Sequence, residues 1–232
     1  MMKHPIYLLL PLLILWLGCG ETGQNAETQS EETTTAEVYF CEITPPANLQ
    51  ARAAALEETY KKLKEAEEGS DDRTAAEKEF FCLFPESYEQ VQKIFAYTED
   101  SEPLIAEETG WEITEAFANL KSIPKEEFYP KYISLTINGV SEAENPAYMF
   151  GVERIIHEDP QHAVTALKQR SQEDIASTFR FLYDEPEIGN LSMAYEDLQK
   201  ILEQTDPEIA AIHKKTYDEL RDKWARIFEG EE

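Results

Sequence analysis

Three times in this chain an Asn or Asp, each a helix-capping residue, stands directly before a proline: Asn145-Pro146, Asp159-Pro160 and Asp206-Pro207. Proline at the first helical position gives up an N–H that has no partner there anyway, and the Asn or Asp side chain accepts from the next free N–H groups. Ser70-Asp71, Ser87 with Gln90, and Ser171 with Asp174 repeat the start signal without proline. Between these points the apolar residues recur at helical spacing. Leu49, Ala53, Leu56, Tyr60 and Leu63 form one stripe that Gly69 should close. Val91, Ile94 and Phe95 form another, followed by Trp111, Phe117 and Leu120. Ile175, Phe179 and Leu182 mark a later helix, and Ile209, Leu220, Trp224 and Ile227 the last. The expectation is an all-α fold of about eight or nine helices in one globular domain, 38–232. One stretch resists: Tyr132-Ile133-Ser134-Leu135-Thr136-Ile137 alternates like a strand and leads into Asn138-Gly139. No second run alternates as clearly to pair with it, so helix through Leu135 is expected. No fixed-period repeat is visible.

The chain carries 47 acids against 21 bases, a net charge of −26 over 232 residues. That balance repels phosphate backbones and anionic headgroups, which excludes nucleic acid as a partner. It suits either a basic protein partner or a solvated acidic surface.

At the start, Met1-Met2-Lys3-His4 leads into an apolar run from Ile6 to Leu17, broken by Pro11 and closed by Gly18-Cys19. The run is shorter than the ~20 apolar residues that span a bilayer and reads as a secretory leader. Its Gly18-Cys19 ending resembles the lipobox of bacterial lipoproteins. The resemblance implies cleavage after Gly18, a diacylglyceryl thioether on Cys19 and acylation of the new amino group. Trp16 departs from the family's usual Leu, and the alternative is an ordinary leader with Cys19 incidental. Gly20, where enterobacterial sorting places Asp to retain lipoproteins at the inner membrane, points by the same resemblance to the outer membrane. Residues 1–18 are then the signal peptide. Residues 19–37, with no aromatic and no base, are read as an acidic, disordered tether. In an oxidising compartment Cys41 and Cys82 can pair. Two buried thiols are the alternative, because Phe80, Phe81 and Phe84 give Cys82 the look of a core position.

Catalytic motifs are scarce. His157-Glu158-Asp159-Pro160-Gln161-His162 comes near the H-E-x-x-H zinc pattern, but the histidines are one residue too far apart and Pro160 separates them. The imidazoles should lie on different elements or point apart, so no metal is expected. No G-x-S-x-G elbow or phosphate-cradling loop is present. Glu99-Asp100-Ser101-Glu102 lacks the spacing of a calcium loop. His213 suggests no role, and no catalytic residue or cofactor is assigned.

Phe80-Phe81, Phe84 and Tyr88, and again Phe179, Arg180, Phe181 and Tyr183, crowd aromatics on short helices. Phe80, Phe81, Tyr88, Arg180 and Tyr183 are therefore candidates for an exposed interface, aromatics with Arg being the usual anchors. The alternative is a helix sandwiched between two neighbours. With Lys131-Tyr132-Ile133, Ile137-x-Gly139 and the Tyr195 helix, these stretches resemble a family of small bacterial proteins of unassigned function, from Phe80 to the end. That resemblance implies a shared fold and no reaction. The functional expectation is a lipid-anchored extracytoplasmic binding module, of immunity or inhibitor type, and not an enzyme. Alternatives are a cell-wall or glycan hydrolase with carboxylates that cannot be picked out, or a structural envelope lipoprotein.

Overall fold

Asn48 starts the first helix, its side chain accepting from Ala51 N at 3.0 Å. In the computed structural model, the residues described are 40–96, 102–140, 151–183 and 188–230, without the side chains of 188–194 and 228–229. The leader with Cys19, the tether, Glu99-Asp100-Ser101 and Asn145-Pro146 lie outside them. All described residues belong to one compact unit, Tyr39–Glu232. They form ten helices and no strand: α1 Leu49–Glu65, α2 Asp71–Leu83, α3 Tyr88–Phe95, α4 Glu107–Ala118, α5 Lys125–Ser134, α6 Glu153–Glu158, α7 Pro160–Leu167, α8 Gln172–Tyr183, α9 Ile188–Thr205 and α10 Pro207–Glu229. The fold is all-α. The count exceeds the expected eight or nine partly because residues 153–167 make two short helices meeting at Asp159. No described helix is long and apolar enough to cross a membrane.

The start signals act as local chemistry requires. Ser70 accepts from Arg73 N at 3.1 Å, Asp206 from Ile209 N at 3.1 Å, and Ser171 from Asp174 N at 3.1 Å. At α3, Ser87 accepts from Gln90 N at 3.4 Å, while the Gln90 side chain reaches back to Glu86 N at 3.1 Å. That is one residue earlier than a regular capping box. α1 stops at Glu65, ahead of Gly69, whose φ of +80° makes the turn into Ser70.

The stretch that alternates like a strand is the end of α5 and the turn after it. A strand buries every second residue, whereas Tyr132, Ile133, Leu135 and Thr136 are all 0% exposed. The chain then turns through Asn138 at φ 59°, and Gly139 follows because a Cβ there would stand 2.7 Å from Tyr88 and 2.9 Å from Phe181.

α1 packs on α2 and α3, α5 on α7, and α10 on α8 and α9, with α6 and α7 leaning on α9. Phe117 of α4 ties the first half together, stacking on Phe84 with centroids 3.8 Å apart and meeting Phe128 at 5.4 Å. This packing corrects the interface expectation. Phe80, Phe81, Tyr88 and Tyr183 are 0%, 4%, 5% and 1% exposed. Phe80 faces Tyr60 of α1, Phe81 stacks on Phe117, and Tyr88 meets Phe181 while donating to Val140 O at 2.9 Å. α2 has neighbours on both sides, so its aromatics go inward all round. Arg180, half-buried, pairs with Glu173 on its own helix at 2.5 Å.

Candidate functional site

The end of α2 gathers more chemistry than its sequence suggests. Pro85 prevents the helix from continuing, which leaves its last carbonyls without intrahelical partners. Two cations from distant elements take them. Arg52, 5% exposed on α1, donates from Nε to Leu83 O at 2.7 Å and from Nη2 to Phe84 O at 2.6 Å. It also reaches Gln90 Oε1 at 3.2 Å and Glu86 at 3.4 Å. Lys131 on α5 donates to Phe81 O at 2.6 Å and lies 4.7 Å from the centre of the Phe81 ring. Burial pushes its ammonium down to about 7. Both charges sit at the negative end of the helix dipole. On the same helix Cys82 is disulfide-bonded to Cys41, with Cα atoms 5.6 Å apart, and Phe40 sets its ring edge-on to Phe81 at 5.5 Å. The residues singled out around Phe80–Tyr88 thus share one place, an internal one.

The two histidines of the near-zinc pattern lie on different helices and are both exposed. His157 belongs to the end of α6. His162, in the first turn of α7, turns its Nδ1 to Asp159 at 3.0 Å and its Nε2 to Glu126 at 3.3 Å. Asp159 caps α7 and also accepts from Lys125 at 2.7 Å. That hydrogen bond, with those from His162, holds its carboxyl down to about 2. Among the described residues no group of three His, Cys, Asp or Glu side chains could hold a metal ion.

His213, which nothing in the sequence singles out, has a polar partner on each ring nitrogen. It is 0% exposed. Its Nδ1 lies 2.7 Å from Gln199 Oε1, an acceptor, so Nδ1 carries the proton. Nε2 then accepts from the Tyr183 hydroxyl at 2.5 Å. Gln199 Nε2 donates onward to Glu203 at 2.9 Å, fixing the amide's orientation. Tyr195 stacks on the imidazole at 5.1 Å, and Phe179 closes it edge-on at 4.7 Å. Burial lowers the ring to about 4, leaving it neutral at pH 7. Both His213 and the Tyr183 hydroxyl that donates to it are buried. The signal was absent from the sequence because the partners come from α8, α9 and α10, and only packing joins them.

Compared with protein-family models, with curated proteins and with solved structures, the chain finds no match in any of the three.

Proposed function

We propose that the chain is a lipid-anchored, extracytoplasmic helical module, held through Cys19 at the outer membrane, that works by binding a basic protein partner rather than by catalysis. The observation that carries this reading is the bond between Cys41 and Cys82. Disulfides persist in oxidising compartments, and a leader of the Gly18-Cys19 kind delivers a chain to one. The bridge fastens the start of the helical body, just past the tether, to α2. A basic partner is favoured by the excess of 47 acids over 21 bases, with exposed pairs such as Glu107-Glu108 and Glu126-Glu127 opening helices toward solvent.

Fractionation of cells producing the Cys19→Ser variant tests the anchor. The variant should move to the soluble fraction; sedimentation with membranes like the natural protein would overturn it. The partner half is tested by retaining envelope extract on the immobilised protein at physiological salt. A basic protein released as salt rises is the expected result, and release of nothing would count against it.

A further inference from the structure

In a chain this acidic, one cleft has the opposite sign. It lies between the end of α4, the loop after it, and the starts of α5 and α6, and encloses about 360 Å³. Lys121, Lys125 and Arg154 line it against a single carboxylate, Glu158. Lys121 is paired with Glu68 and Lys125 with Asp159. Arg154 is held differently: its Nη2 donates to Asn119 Oδ1 at 2.9 Å, and Asn119 is itself fixed by donating to Glu115 O at 2.8 Å. An amide positions the guanidinium without neutralising it. Glu158 stands one turn further along α6, yet Arg154 makes no ion pair with it among the described residues.

Beneath these charges is Tyr129, part of the same wall and 2% exposed. Its hydroxyl is buried with no hydrogen-bond partner among the described residues, although the Lys125 ammonium is close enough to act on its oxygen as a donor would, which leaves the phenolic proton free. Native structures rarely leave such a group unmet, because each costs about 1–3 kcal/mol. Lys125 Nζ lies 5.9 Å from the ring centre, which places the cation over the same pocket. Burial and the nearby Glu158 keep the phenol protonated, hence a donor. α5 also begins here behind Pro124 without a side-chain cap, so its first N–H groups face this end of the helix.

We propose that this cleft binds a small molecule through a carboxylate or phosphate head, with Arg154 gripping the oxyanion and the Tyr129 hydroxyl donating to it from below. The guanidinium fork suits a planar carboxylate or a phosphate equally. Ile123 and Phe128 supply an apolar floor for the rest of the ligand. Glu158 repels a second negative charge, so the head should be the ligand's only anion. This inference does not depend on the anchor or on a protein partner.

Chemical-shift titrations of the purified full chain at low ionic strength test it, with acetate in one arm and inorganic phosphate in the other. Saturable binding in either arm is expected, and the arm that saturates identifies the head group. Arg154→Ala should weaken it at least tenfold, and Tyr129→Phe about fivefold, the loss of one hydrogen bond. A thermal melt verifies the fold of each variant: Arg154→Ala should melt like the natural protein, and Tyr129→Phe no lower than it, since that substitution removes an unmet buried hydroxyl. Failure to saturate in both arms overturns the proposal, as does either variant binding as tightly as the natural protein, which marks an adventitious anion.

Discussion

The imidazole of His213 shows how one residue can set the acid limit of a fold. Its folded value of about 4 lies below the ordinary 6.5, because burial penalises the charged ring. As pH falls, the unfolded chain therefore takes the proton first. The stabilising contribution is complete above 6.5 and is lost as pH drops toward 4, by about 3 kcal/mol in all. Carboxylates with depressed values, such as Asp159 at about 2, add their own losses lower in the acid range. Urea unfolding measured at intervals between pH 7 and pH 4 should thus show a steep decline. In a His213→Gln variant the decline should flatten over that window, at the cost of lower stability at pH 7. An equally steep slope in the variant would move the titrating group elsewhere.

At the scale of elements, the end of α2 is where three parts of the chain meet. Arg52 of α1 and Lys131 of α5 satisfy the carbonyls that Pro85 frees, and the disulfide brings in the extended segment at Cys41. Arg52→Ala should cost about 3 kcal/mol in denaturant unfolding, since it strands the buried oxygens of Leu83 and Phe84. Arg52→Lys should recover only part, because one ammonium cannot cover two carbonyls with a planar fork. A loss below ~1 kcal/mol, the range of surface ion pairs, would mean that water replaces the guanidinium. The helix starts around this site were legible in the sequence because capping is decided within three or four residues. Cys41 and Cys82 could be paired on paper, with free thiols as a rival. The aromatics of Phe80–Tyr88 were misread as partly exposed, since periodicity reports one helix face and says nothing of a second neighbour. Arg52 was missed for a related reason: an Arg on an amphipathic helix reads as solvated until another helix ends against it. The cationic cleft was invisible, because Asn119 and Lys121 come from the loop after α4, Tyr129 from α5 and Arg154 from α6, in a chain whose overall charge points the other way.

Over the whole molecule, charge sets a conflict that packing has to absorb. Even if every one of the 21 bases paired, the 47 acids would leave 26 carboxylates without a base. Added salt screens that self-repulsion and the ion pairs alike, so the sign of its effect depends on which is larger. The pairs are mainly surface contacts, such as Lys62–Glu58, Lys93–Glu89 and Lys215–Glu219, each about half exposed or more. Pairs of that kind contribute at most ~1 kcal/mol. Arg52, buried at the end of α2, is shielded from ions and should be little affected. Repulsion among the unpaired carboxylates acts across the whole surface and reaches ~30 Å at 0.01 M salt but only ~3 Å at 1 M. It should therefore dominate, and the melting temperature should rise by several degrees as sodium chloride is increased across that range. Potassium chloride should act the same way, because the effect is one of screening. A melting temperature that falls with salt would show that the surface pairs outweigh the repulsion. It would also weaken the case that the negative field is free to draw in a basic partner, since the same unpaired carboxylates would have to supply it.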